Sequence, residues 1–481
     1  MSKTLLKTTA LALSLACAIF SACTAARDDS SSSSSSGGGN TPPVIAKETV
    51  PDYYLNKGEN NFKVGMWSGI AENKIYVDDV YRVTGKAAWT DAEFDNQYKL
   101  IKEAGFTLAS TPIGLFSSDH IIRLLEAADK YGIKQLVWDT TLNNILMDTS
   151  LSEENAVVKV RRAAIDYIDY DSFYGNMITD EPNSGEFEAL ARAAKIYKKA
   201  FPDKMFYLNL FPVYATPLQL GETDYTEYLR KYESLGLDYV CYDNYPLKNG
   251  AGGTTILRDN FMYNMQLANA MQTKPKVWSF LQSMGFGAMK EPDCVEDFRI
   301  QLNVALANGQ SAIQWFCYFS PGYGGGENFT PAIVMTDGTP TEKYDFVKTV
   351  NNEIAAWGDI YSRFEFKKSM NIVGSENAKG ENAAFNYLKT DNSHDRIKSL
   401  SVSKDTIIGV FKDDENRDGF MVANYDLPSS KQVSKVELCF HGCTKAIVIK
   451  NGVKSLIDIT DGKVSLDLKA SEGAFVIPLN I

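Results

Sequence analysis

Two short runs carry the residues that could do chemistry. Thr179-Asp180-Glu181-Pro182-Asn183 places two carboxylates side by side before a proline, and Tyr242-Asp243-Asn244-Tyr245-Pro246 places a third between two tyrosines. Asp139 follows Trp138, Asn209 closes an apolar run, and Trp67, Trp278, Gln282 and Trp315 stand in or just after similar runs. Carboxylates transfer protons, amides and carboxylates hydrogen-bond hydroxyls, and aromatic faces stack on apolar C–H surfaces. Together these groups suit a carbohydrate. Cleaving a glycosidic bond typically takes one carboxyl acid and a second carboxylate, with no cofactor. With only three histidines (His120, His394 and His441) in 481 residues, a histidine metal cluster or a Ser-His-Asp triad is not expected. No spacing suggests a metal site.

The elements that must position these groups alternate along the chain. Apolar runs at 61–70, 106–114, 133–141, 173–181, 205–212, 237–246, 275–284 and 310–320 read as strands. Amphipathic runs at 91–105, 118–132, 154–169, 185–201, 225–236, 257–272, 295–309 and 341–357 read as helices. Eight strand–helix pairs over about 300 residues predict an α/β fold, a (β/α)8 TIM barrel, in which functional side chains come from the C-terminal strand ends. No Gly-rich dinucleotide motif follows the first strand. From residue 364 the helical pattern stops. Short alternating runs, with turn signals at Asn451-Gly452 and Asp461-Gly462, predict a small β-sandwich over 364–481.

In this frame the ends of strands 4, 6 and 8 resemble those of the (β/α)8 glycoside hydrolases that include family 42 β-galactosidases and cellulase-like relatives. The motifs that carry the resemblance are Asp180-Glu181-Pro182, Tyr242-Asp243-Asn244-Tyr245-Pro246 and Ala312-Ile313-Gln314-Trp315. The resemblance implies that Glu181 is the general acid/base and that Asp180 replaces the Asn that usually contacts a sugar hydroxyl. It places Gln282 where such enzymes carry a nucleophilic Glu, and an amide cannot form a glycosyl ester. Another carboxylate, Asp243 or Asp139, then takes that role, or Glu327 swings in from the Gly-rich stretch 322–326. The alternative is a barrel that binds glycan without cleaving it. Trp67, Trp138, Asn209, Tyr245, Trp278, Gln282 and Trp315 are the expected sugar contacts.

The N-terminus reads as an address. Lys3 and Lys7 precede a short apolar stretch, and Phe20-Ser21-Ala22-Cys23 resembles a lipobox with Cys23 lipidated; Leu15-Ala16-Cys17 is a weaker match. Residues 1–22 are the expected signal. Residues 23–59, with Ser30 to Ser36 and Gly37 to Gly39, are the expected tether between lipid and barrel (60–363). The expected location is the bacterial cell envelope, lipid-anchored at the outer membrane or cell surface. A net charge of -11 without basic runs argues against nucleic acid as the partner. Cys439 and Cys443 are the one pair placed for a disulfide, and His120 is expected on the surface of a helix.

Overall fold

The computed structural model describes residues 45–78, 82–114, 116–271, 276–320, 328–376, 383–386 and 390–481. The expected signal, Cys23, most of the expected tether and Glu327 lie outside the described residues.

Among the described residues, parallel strands alternate with helices, one principal helix following each strand. The strands are β1 (Lys63–Met66), β2 (Leu108–Ser110), β3 (Lys134–Val137), β4 (Phe173–Asp180), β5 (Met205–Asn209), β6 (Val240–Asp243), β7 (Val277–Gln282) and β8 (Gln310–Phe316). The helices are α1 (Asp91–Glu103), α2 (Ser118–Tyr131), α3 (Glu153–Ala163), α4 (Phe187–Ala200), α5 (Tyr225–Tyr232), α6 (Phe261–Met271), α7 (Val295–Ala307) and α8 (Glu342–Ala355). The apolar runs extend past the strands because the last residues of each run turn outward into the loops that carry the site. The helix ends obey local chemistry. Thr90 and Glu93 form a reciprocal capping box at the start of α1, and Gly132 closes α2 in the left-handed conformation.

The strands form two parallel sheets, β2-β3-β4-β5 and β1-β8-β7-β6. A parallel bridge between Leu210 and Tyr242 joins them on one side, and the Thr107 N–H donates to the Val64 carbonyl on the other. Leu108, Leu136, Met177, Tyr207, Cys241, Trp278, Phe280 and Ala312 pack as one cluster between the sheets. Gln314 on β8 reaches across it to donate to the Tyr207 hydroxyl on β5 at 2.7 Å. The run 70–90, unassigned in the sequence, adds a hairpin (Asn73–Val77 with Val83–Ala88).

The C-terminal region is almost all antiparallel. Its strands are β9 (Glu365–Ile372), β10 (Ile397–Val402), β11 (Thr406–Lys412), β12 (Asp418–Asn424), β13 (Val433–Phe440), β14 (Lys445–Lys450), β15 (Val453–Asp458), β16 (Lys463–Lys469) and β17 (Gly473–Leu479). They form a six-stranded sheet, β9-β11-β12-β17-β14-β15, and a three-stranded sheet, β10-β13-β16. Val410, Phe420 and Val476 from the first share a core with Val402, Leu438 and Leu468 from the second. Asn451 and Gly452 both take positive φ (49° and 75°) between β14 and β15, as a tight hairpin turn of this kind requires. Cys439 and Cys443 are free thiols, correcting the expected disulfide; the Cys443 thiol donates to the Lys445 carbonyl. His120 is also corrected. It is buried, with Nε2 3.0 Å from the Ile70 carbonyl, and that burial lowers its pKa.

The β-rich region and the α/β core share apolar surface. Phe475 of β17 packs against Trp357, Tyr361 and Phe364 at ring separations of 5.3, 6.2 and 5.0 Å. Residues 45–56, inside the stretch expected as tether, pack on the same region. The Glu48 N–H donates to the Asn480 carbonyl, and the buried Tyr54 hydroxyl donates to Asp413 at 2.5 Å. Tyr53 (3.0 Å) and Arg417 (3.1 Å) meet the same Asp413 oxygen. Removing that acceptor strands three buried or half-buried donors. Asp413→Ala is therefore expected to cost about 3 kcal/mol in urea unfolding at neutral pH. A loss under about 0.5 kcal/mol, the level of an ordinary surface change, would contradict this role.

Candidate active site

The site is built on three adjacent strand ends. The register sets Asp180, last in β4, opposite Asn209, last in β5. The Leu210–Tyr242 bridge then brings Asp243, last in β6, to the other side of Asn209. The Asn209 amide nitrogen donates to Asp180 Oδ1 at 3.1 Å and to Asp243 Oδ1 at 3.2 Å. Its own oxygen faces the Cys241 thiol at 3.6 Å, which fixes the way the amide points. One side-chain amide thus holds two carboxyls no farther apart than two hydrogen bonds laid end to end.

Glu181 supplies the third carboxyl. Its φ of 47° is left-handed backbone, rare for a residue with a side chain. Neighbours on both sides hold it there. The Glu181 N–H donates to the Asn209 carbonyl at 2.8 Å, and the Pro182 carbonyl accepts from the buried Tyr228 hydroxyl at 2.7 Å. Strained backbone held this firmly is characteristic of functional sites. The turn brings the Glu181 side chain within hydrogen-bonding reach of Asp243.

Burial sets the proton affinities. Asp243, 6% exposed, has its pKa raised first by loss of water and then by the negative charge of Asp180, against hydrogen bonds from Asn209 and Glu181. Asp180 is raised by the protein atoms crowded around it, against the Asn209 hydrogen bond. It also keeps an exposed face at the mouth, so solvent screens its shift more than that of Asp243. Tyr245 is almost wholly buried against Phe286 and Phe316, and Tyr214 lies on the loop after β5. Burial first and then the Asp243 charge hold the Tyr245 phenol protonated as a donor.

The other expected site residues divide by where the structure places them. Trp67 and Trp138 stay partly exposed after β1 and β3. Trp67 lies edge-on to Phe280 at 5.5 Å, and Trp138 donates its indole N–H to Thr140. Asp139 is not brought to the cluster. One oxygen caps the helix Thr140–Met147 through the Leu142 N–H at 3.0 Å, and the other accepts from Tyr167 at 2.9 Å. Trp278 is the second residue of β7, at its start, packed on Tyr207 and Tyr239 away from the mouth. Trp315 is fully buried among the helices, donating to Asn351 at 2.8 Å and lying against Phe298. Gln282 is fully buried and its amide is spent. It accepts from the Leu247 N–H (2.9 Å) and donates to the Leu247 (3.2 Å) and Lys290 (2.6 Å) carbonyls. Sequence reasoning missed Tyr214 and Arg258, because neither lies at the end of an apolar run.

Asp293, Cys294 and Asp297 bring ligand-type atoms together on the loop into α7. Lys290 already bonds both carboxylates, at 3.0 and 2.6 Å, and supplies the counter-charge.

No protein-family model matches the chain, and no curated protein does. Solved structures do. A β-galactosidase from Bacillus circulans sp. alkalophilus matches 88% of this chain and 100% of its own, with a TM-score of 0.54 and 9% identity. An Anoxybacillus α-amylase matches 87% of this chain and 98% of its own, with a TM-score of 0.49 and 13% identity. A β-galactosidase from the Antarctic haloarchaeon Halorubrum lacusprofundi matches 61% of this chain with a TM-score of 0.41 and 12% identity; this chain spans 58% of that enzyme. The Bacillus enzyme shares the fold of this chain across nearly its whole length. The chain has a glycoside-hydrolase-like fold.

Two outcomes follow from these environments. Gln282→Glu would set a carboxylate against two backbone carbonyls in a fully buried place. It is expected to cost about 3 kcal/mol of stability and to add no glycosidase activity; a stable variant with gained activity would contradict the placement. Asp180 and Asp243 bind protons more tightly folded than unfolded. Their contribution to stability is therefore whole below the unfolded pKa and is lost as pH rises through the raised folded values. The thermal midpoint of Asp243→Asn, which keeps an acceptor for Asn209, is expected to fall less than that of the parent between about pH 5 and about pH 8. Parallel profiles would refute the shift.

Proposed function

We propose that the protein is a glycoside hydrolase acting on an O-glycosidic bond of a poly- or oligosaccharide. The observation that carries this is the meeting of Asp180, Glu181 and Asp243 around one amide at adjacent strand ends. In this reading the two parallel sheets close into one (β/α)8 barrel over residues 60–363, the two joins between them being its seams. Residues 364–481 form a β-sandwich domain. Residues 1–22 are a signal and residues 23–59 a tether whose last part is docked. Cys23 carries the lipid that holds the protein to the outer membrane or cell surface.

Glu181 is the general acid. Its hydrogen bond to Asp243, in a site that disfavours negative charge, keeps a proton available for the leaving oxygen. Asp180, with its face open to solvent, meets sugar hydroxyls or the attacking water. Tyr245 and Tyr214 donate hydrogen bonds, and Trp67 and Trp138 offer ring faces. Asp139 is held away by its cap bonds, so the second carboxylate is drawn from Asp180 and Asp243. A carboxyl pair already hydrogen-bonded to each other stands closer than the roughly 5–5.5 Å of retaining pairs. Asp243 therefore supports the Glu181 carboxyl instead of flanking the scissile bond with it, and Asp180 is the candidate second carboxylate.

Purified protein starting near residue 45, screened against polysaccharides by reducing-end release, tests the reading. On a substrate the parent cleaves, Glu181→Gln is expected to lower kcat/KM by about 10²–10⁴ through kcat, with KM little changed. Unchanged turnover would falsify the assignment. A second reading, a barrel that binds glycan without cleaving it, is favoured by the burial of Gln282, which leaves β7 without a carboxylate at the usual nucleophile position. Calorimetric binding without product release over long incubation would support it.

A further inference from the structure

Near the carboxyl cluster stands a cation that pairs with no carboxylate among the described residues. Arg258 follows the short hairpin formed by Leu247–Asn249 and Thr255–Leu257. Its backbone N–H donates to the Pro246 carbonyl at 2.7 Å, which pins it to the loop leaving β6. Its guanidinium lies flat on the Tyr214 ring, 3.9 Å from the centroid. The Tyr214 phenol feels Asp243, Arg258 and Glu181 together, and the Pro246 hydrogen bond sets Arg258 on the loop that leaves β6 just after Asp243.

Other arginines in the chain are satisfied by oxygen. Arg299 forks onto Glu353, Arg417 bonds Asp413, Arg123 bonds Asp91, and Arg161 meets the Ala200 and Lys199 carbonyls. Arg258 differs. Its Nη2 reaches only the weakly accepting Met289 sulfur at 3.3 Å, and its Nε is shut away from solvent with no acceptor. Among the described residues no carboxylate lies within ion-pair distance of it, in a chain with 60 acidic and 49 basic residues. A guanidinium that finds no carboxylate among the described residues gains from an anion that arrives to meet it. Tyr214, on the loop after β5, is 39% exposed and offers ring surface beside the cation.

We propose that Arg258 and Tyr214 form a subsite for an anionic substituent, a carboxylate or a sulfate ester, and that the substrate is an acidic glycan. The inference rests on the reading of the strand-end cleft as a glycan site. A mouth with three carboxyls repels an acidic sugar. A fixed cation beside them, with two of the carboxyls biased toward their neutral form, removes that repulsion and sets the orientation.

Binding is measured on Glu181→Gln by calorimetry, so that cleavage does not intrude. The ligands are galacturonan, glucuronan and alginate oligosaccharides, each with its carboxyl-reduced counterpart, and sulfated galactan oligosaccharides with their desulfated counterparts. At least one acidic member is expected to bind tenfold or more tightly than its neutral counterpart, and the series it comes from distinguishes carboxylate from sulfate. Adding Arg258→Met is expected to cut that preference about 10–100-fold, as loss of a charge-assisted contact does. Arg258→Lys, which keeps the charge, should retain part of it. Equal binding of acidic and neutral members, no binding of any acidic member, or a preference unchanged in Arg258→Met would overturn the proposal. Acidic preference with no cleavage by the parent protein sinks the hydrolase reading and leaves the subsite; cleavage of neutral glycans without acidic preference does the reverse.

Discussion

The site depends on one amide. Asn209 can donate two hydrogens, and it spends them on two carboxyls that would otherwise repel each other, one buried and one at the solvent-facing mouth. Both acids then sit at a spacing fixed by its two N–H groups. The cost of holding them there appears as raised proton affinity, which makes the cluster a store of protons near neutral pH. Glu181 is tied to the same residue through the Asn209 carbonyl, so its left-handed backbone and its neighbours' protonation share one anchor.

Parallel strands make that arrangement possible. Three consecutive strands end at the same level, and their last side chains fall side by side. The apolar stretches that lead into Asp180, Asn209 and Asp243 carry this in plain form, which is why the sequence sets these three at strand ends. The aromatic residues were less so. A tryptophan in an apolar run can point to the mouth, the interior or the helices, and periodicity does not separate the three. Trp315 faces the helix layer, and Trp278 lies at the wrong end of its strand. Gln282 illustrates the same limit. It occupies the strand end that a catalytic residue would take, yet the hairpin after β6 folds over it and uses up its amide. That hairpin is short, polar at its turn and without strong strand propensity, so nothing in the sequence announced it.

The same hairpin delivers Arg258, and the loop after β5 delivers Tyr214. The proposed anion subsite therefore comes from connections, while the carboxyl cluster comes from strand ends. At the other end of the chain, composition does not show that residues 45–56, inside the expected tether, pack on the β-rich region. Tyr53 and Tyr54 converge with Arg417 on Asp413, a contact separated by some 360 residues. Contacts at that separation leave no local pattern to read.

The account turns on whether the carboxyls behave as a proton-holding cluster. A carbon-13 NMR titration of carboxyl-labelled protein, with Asp180→Asn and Asp243→Asn to assign the signals, tests this directly. The account predicts that Asp180 and Asp243 titrate above the usual carboxylate range, and that replacing either lowers the value of the other. Two independent titrations near the ordinary value of about 4 would contradict it.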